Sequence, residues 1–206
     1  LKKGVKEEEV QDVKTSGKLG FFKKIWLIVK NPEEFFNHIK SEAGIRKALG
    51  FYVLLLILML ILQMIVKIVV TFVENPILGI IDIIGSLAGG LILTPIILAV
   101  VIALVFIMAG LYHVLVIVFK GRNPFSATFK AVVYASAPGV ILSMLNGLPY
   151  FSEYVYFALS LVAFLWGMVV LTVGIAIMQD MGYGKAFMVA IIPTLVIIGL
   201  VLLAGY

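Results

Sequence analysis

The sequence predicts an all-α fold, a polytopic membrane helix bundle of five transmembrane helices preceded by a short amphipathic N-terminal arm. Between Lys47 and Tyr206 only nine side chains are formally charged, and most of them fall in short gaps between long apolar runs. Each run approaches the roughly 20 residues that a hydrocarbon core about 30 Å thick requires. Composition agrees, with 63% hydrophobic residues, 13% charged residues and a mean hydropathy of +1.17. A soluble helix of such length keeps a polar face, and these have none.

Three segments follow in order. Residues 1–17 mix Lys2 and Lys3 with Glu7, Glu8 and Glu9 and offer too little apolar surface to fold around, which predicts a disordered polar tail. Residues 18–46 form a cytoplasmic basic arm of amphipathic, interfacial helices. Within it Leu19, Phe22, Ile25, Trp26 and Val29 recur at three- and four-residue steps. A basic amphipathic helix of this kind lies in the headgroup layer. Its expected membrane-surface residues are Lys18, Phe22, Lys23, Lys24, Trp26 and Lys30. Asn31-Pro32-Glu33-Glu34 then supplies a cap, an N1 proline and first-turn acids for a second short helix. Phe35, Phe36 and Ile39 give that helix an apolar side, and it serves as an elbow into the first span.

Residues 47–206 are the transmembrane domain, with spans at about 48–69, 91–119, 126–148, 154–178 and 186–203. The first carries Gln63 and Lys67 in its far half. Before the second, the charge-free stretch already begins at Ile83 and reaches Phe119, about 55 Å of helix at 1.5 Å per residue. That is too long for one straight perpendicular span. A break or kink is expected at Gly89-Gly90 or Thr94-Pro95, leaving residues 77–89 as an interfacial or re-entrant piece. In the third span Ala127, Ala131, Ala135, Gly139, Ser143 and Gly147 follow at steps of four. Lipid provides no hydrophobic drive for helices to associate, so a face of small residues is the expected packing surface. Asn-Pro recurs at Asn75-Pro76 and Asn123-Pro124 as a repeated helix-start signal.

Charge sets the expected orientation. Fifteen of the sixteen Lys and Arg residues lie in the arm, in the gap after span two with Lys130 just beyond it, or in the gap after span four. The positive-inside rule therefore predicts a cytoplasmic N-terminus and an outer C-terminus. Lys67, the exception, can snorkel to the outer interface. The net charge of +5 is concentrated before span one, which points to anionic lipid headgroups and not to nucleic acid. The first long apolar run starts about 48 residues in without a small-residue cleavage pattern, so a cleavable signal peptide is not expected.

Catalytic parts are sparse. Cysteine is absent, which excludes disulfides, thiolate metal sites and thiol nucleophiles. His38 and His113 have no partner at a ligand spacing, and neither Gly-x-Ser-x-Gly nor a phosphate-cradling glycine loop occurs. No enzyme activity, metal or cofactor is expected. Asp82 is read as a cap for the helical piece that begins at Ile83.

Asn31-Pro32 to Phe35-Phe36, the Lys120-Gly121-Arg122-Asn123-Pro124-Phe125 turn, Tyr134-Ala135-Ser136-Ala137-Pro138 and Lys185-Ala186 occur in that order. Together with five spans they resemble the Yip family of Ypt/Rab GTPase-interacting membrane proteins, over roughly residues 30–206. The resemblance implies a cytoplasmic N-terminus, homo- or hetero-oligomers and no catalysis. A small GTPase is a partner by that resemblance alone. The Asp-Leu-Tyr-Gly-Pro motif of eukaryotic arms is missing, so GTPase binding is carried to no residue. The short basic arm looks more like bacterial or archaeal members, which implies the cell membrane. The resulting expectation is a non-enzymatic scaffold or adaptor that meets the membrane surface and partner proteins, in membrane organisation or trafficking. The alternative is a small transporter or channel using a broken second span and Asp82.

Overall fold

A computed structural model describes residues 19–74, 76–143 and 152–204. Its elements are α1 (Phe21–Lys30), α2 (Pro32–Ile39), α3 (Arg46–Glu74), α4 (Pro76–Val118), α5 (Phe125–Ala135), α6 (Ala137–Ser143), α7 (Glu153–Met178) and α8 (Tyr183–Ala204). No strand occurs among the described residues. Five stretches are long and apolar enough to cross a membrane: Arg46–Glu74, Ile92–Val118, Phe125–Ser143, Glu153–Met178 and Tyr183–Ala204. The all-α, five-span class expected from the sequence is the class observed.

Span two differs from expectation. Helix α4 runs without interruption through Gly89-Gly90 and Pro95 for 43 residues. Pro95 removes one main-chain donor but does not end the helix, because apolar surroundings give the remaining backbone groups no other partners. Span three is the one that breaks. Its helix pauses at Ser136, whose Oγ donates to the Val133 carbonyl at 2.8 Å. Pro138, two residues on, lacks the N–H that would continue the ladder.

The arm is built into the bundle. Asn31 caps α2 by accepting from the Glu34 N–H at 3.2 Å, and Pro32 occupies its first turn. This start turns Phe35, Phe36 and Ile39 inward, where all three are fully buried together with Ile28 of α1. The Phe35 ring meets Tyr134 edge-on, with centroids 4.8 Å apart, and Phe51 meets Tyr134 in a tilted contact at 5.0 Å. Phe36 fills the space over Gly174 of α7. A Cβ there would lie 2.6 Å from the ring, so only glycine admits this approach. Tyr134 is nine residues into α5, near the middle of Phe125–Ser143, so the aromatic contacts of the arm reach into the bundle.

Candidate interfacial site

The arm, the α4–α5 turn and the α7–α8 turn meet at one end of the bundle. Both turns close their helices in the same way. Lys120 takes a left-handed conformation (φ 64°), while its N–H donates to Ile117 O at 3.0 Å and that of Gly121 to Val116 O at 2.7 Å. Asp180 repeats this at φ 51°, with the Met181 N–H donating to Ala176 O at 3.0 Å. These are Schellman caps, which satisfy carbonyls that a helix end leaves orphaned. Gly121 is required by space as well, since a Cβ would sit 2.3 Å from Val116 Cγ1.

Gln179 joins the two turns. Its side chain is fully buried; Nε2 donates to Thr128 Oγ1 at 2.8 Å, and Oε1 accepts from the Asn123 N–H at 3.0 Å. Asn123 Nδ2 in turn donates to Met178 O at 2.7 Å and to Asp180 Oδ2 at 2.8 Å. His113 Nδ1 lies 2.9 Å from Thr128 Oγ1, which extends the chain of polar contacts into α4. From the arm, Lys40 pairs with Asp180 Oδ1. Hydrogen bonds from Lys40 and Asn123 hold the Asp180 carboxyl below the usual carboxylate range.

A second cluster surrounds Glu42, in the loop between α2 and α3. Its Oε1 is 3.3 Å from Lys47 Nζ and 4.0 Å from Lys24 Nζ, while its Oε2 is buried without a hydrogen-bond partner. Lys130, only 4% exposed, donates to the main-chain carbonyl of Glu42 at 2.6 Å. Lys24 donates to Tyr134 Oη at 3.2 Å, so one arm lysine reaches down between helices. Burial pushes the Lys24 ammonium pKa down, and Glu42 offsets part of that shift.

Among the residues expected at the membrane surface, α1 separates two groups. Phe22 is 75% exposed and Trp26 63%, and Lys23 and Lys30 are exposed beside them. Lys30 Nζ stands 5.7 Å from the centre of the Trp26 ring. Lys24 faces the opposite way, into the bundle. Lys18 lies outside the described residues. Of the small residues of span three, Ala127, Ala131 and Ala135 are buried, and Gly167 of α7 packs over the Ala135 carbonyl, where a Cβ would lie 3.4 Å away. Ser143 is half-buried; its carbonyl accepts from Gln63 Nε2 at 2.9 Å. Gly139 is exposed beyond the Ser136 pause, and Gly147 is outside the described residues. Asp82 belongs to α4, and its side chain is likewise outside them.

Glu42 and Gln179 were not singled out by the sequence, and Tyr134 entered only within the Tyr134–Pro138 stretch that carries the family resemblance. Lys130 entered only as one more cation, and Asn123 as a helix start and as part of the turn that carries the family resemblance. A lysine among Ala, Val and Phe, five residues into a span, was the one available signal. Among the described residues no cluster of three or more His, Asp or Glu could hold a metal.

Fold and site together define a five-span membrane protein whose amphipathic arm is sewn into one end of its bundle. The Yip1 domain family model matches residues 26–205, and the chain belongs to that family. The match begins midway through α1, so the second half of α1 and all of α2 are part of the domain. No curated protein and no solved structure is a significant match.

Proposed function

We propose that this Yip-type membrane protein is a non-enzymatic scaffold whose arm presents a fixed basic and aromatic strip at the cytoplasmic surface, for anionic headgroups and for partner proteins. The observation that carries this reading is the two-sidedness of α1. Ile28 is buried against the bundle while Phe22 and Trp26 project from it, flanked by Lys23 and Lys30. A helix that only bound a soluble core would have no reason to carry large aromatic side chains on its outer face. Aromatic rings with neighbouring lysines suit the headgroup boundary, where apolar burial and attraction to anionic lipid act together. The positive-inside count supports a cytoplasmic N-terminus.

Two experiments test this. Single cysteines at Ser152 and Arg122, both exposed, in an otherwise cysteine-free chain, should respectively react and fail to react with an impermeant thiol reagent outside intact cells. The reverse pattern would overturn the orientation. Full-length protein with Trp166→Phe, reconstituted with brominated lipid, should show strong quenching of Trp26. Lys23→Gln with Lys30→Gln should weaken its preference for anionic over zwitterionic lipid. Unquenched Trp26 would refute the strip, and saturable solute flux abolished by Asp82→Asn would favour a transporter.

A further inference from the structure

A cleft of about 340 Å³ opens where the Lys40–Gly44 segment faces the start of α5 and the end of α7. Its polar lining includes Lys40, Glu42, Asn123, Ser126, Lys130 and Asp180. Lys130 is the unusual member. An ammonium has three donors, and the one hydrogen bond that Lys130 makes here goes to a main-chain carbonyl, that of Glu42. Burying a charge is costly unless it is paired and hydrogen-bonded. Neither carboxylate in the cleft hydrogen-bonds to it: Glu42 Oε1 faces Lys47 and Lys24 and its Oε2 is buried without a partner, while Asp180 is engaged by Lys40 and Asn123.

The cleft's own lining balances Lys40 and Lys130 against Glu42 and Asp180, and Lys24, Lys47 and Arg122, which act on those two carboxylates from outside the lining, tip the surroundings positive. Depth matters too. Lys130 lies within the first two turns of the third span, Met178 is the last residue of α7, and the loop before α3 forms the remaining wall. Span ends lie at the level of lipid headgroups.

We propose that this cleft is an anion site that takes a phosphate group, with Lys130 as its principal ligand and the Ser126 hydroxyl and Lys40 at its rim. A tetrahedral phosphate offers several acceptor oxygens, enough for the two remaining Lys130 donors and the serine hydroxyl at once. At this depth its source is the headgroup of an anionic phospholipid, and a soluble phosphate shares the same chemistry. The site is separate from the outward strip of α1, so the two readings fail independently.

The test uses full-length protein in nanodiscs of phosphatidylcholine with or without phosphatidylglycerol, read by retained lipid in native mass spectrometry and by thermal melting. One phosphatidylglycerol should be retained per chain in preference to phosphatidylcholine. Lys130→Gln and Ser126→Glu should each lower retention about tenfold, the loss of roughly one charge-assisted bond. Ser126 is partly exposed, so Ser126→Glu repels an anion without emptying the core. Lys23→Gln with Lys30→Gln should leave this tight binding in place. A rise in melting temperature with inorganic phosphate in pure phosphatidylcholine, lost in Ser126→Glu, would support the site and assign it to soluble phosphate. Neither selective retention nor a phosphate-dependent rise, or retention undiminished in a folded Ser126→Glu, would overturn the proposal.

Discussion

At the arm end of the bundle Phe35, Phe36, Ile39, Phe129 and Tyr134 are wholly buried, and Gln179 ties two turns together. In the distal half of α3 and α8, Ile61, Ile65, Val69, Val196 and Leu200 stay largely exposed on the bundle's exterior. The contrast shows where a membrane protein gains a unique structure. Facing lipid, an apolar side chain gains little by meeting another helix, so the distal halves require little more than apolar length. Close packing and hydrogen bonding, by contrast, select one arrangement. Both are gathered at the end where the chain meets water.

The largest effects should therefore come from the arm end. Phe36→Ala empties a buried site and should destabilise the protein by about 3–5 kcal/mol, read as a loss of melting temperature in nanodiscs. Gly174→Leu should act through the same contact by forcing α2 off α7, at a cost of about 1–3 kcal/mol. Ile65→Ala on the distal half of α3 should stay within about 0.5 kcal/mol. A comparable loss from Ile65→Ala would break the contrast between the two ends.

Gln179→Leu should cost about 1–3 kcal/mol, because the Asn123 N–H loses its acceptor and Thr128 a donor. Span three sharpens the comparison within one helix pair. Ala135→Leu, on the buried side against Gly167, should lower melting by about 1–3 kcal/mol. Gly139→Leu, in open space, should leave the single chain unchanged. If Gly139→Leu dissociates an oligomer, a second copy covers that face.

The smallest effect concerns pH. Asp180 has a folded-state pKa below its ordinary value, so its stabilisation is present above about pH 3.9 and is lost as pH falls through the lower folded value. The group is exposed, and the pair with Lys40 should contribute under about 1 kcal/mol. Lys40→Gln should flatten acid unfolding in that window while leaving melting at neutral pH nearly unchanged.

Five spans and the helical class were legible because apolar length against bilayer thickness admits few other readings. The docking of the arm was not. The recurrence of Phe22, Trp26 and Val29 marks the face that stays exposed, whereas the docked face of Phe21, Ile25 and Ile28 shows itself only once the partner surface is present. Phe36 needed Gly174, about 140 residues away, and no local pattern joins the two. In span two Gly89-Gly90 looked like a break, yet an apolar setting keeps α4 continuous. Span three carried Pro138 in plain view, but its small-residue period suggested an unbroken helix. Lys130 counted as a surface cation because charge counting sees side, not depth.

Central to this account is that the arm is part of the folded bundle, buried on one face and open on the other. Thiol labelling of single-cysteine variants in nanodiscs tests it most directly, since the chain has no cysteine of its own. Ile28→Cys and Ile39→Cys should resist a soluble maleimide until the protein unfolds, whereas Lys23→Cys and Lys30→Cys should label at once. Equally fast labelling at all four positions would show an arm that is free of the bundle and would contradict the account.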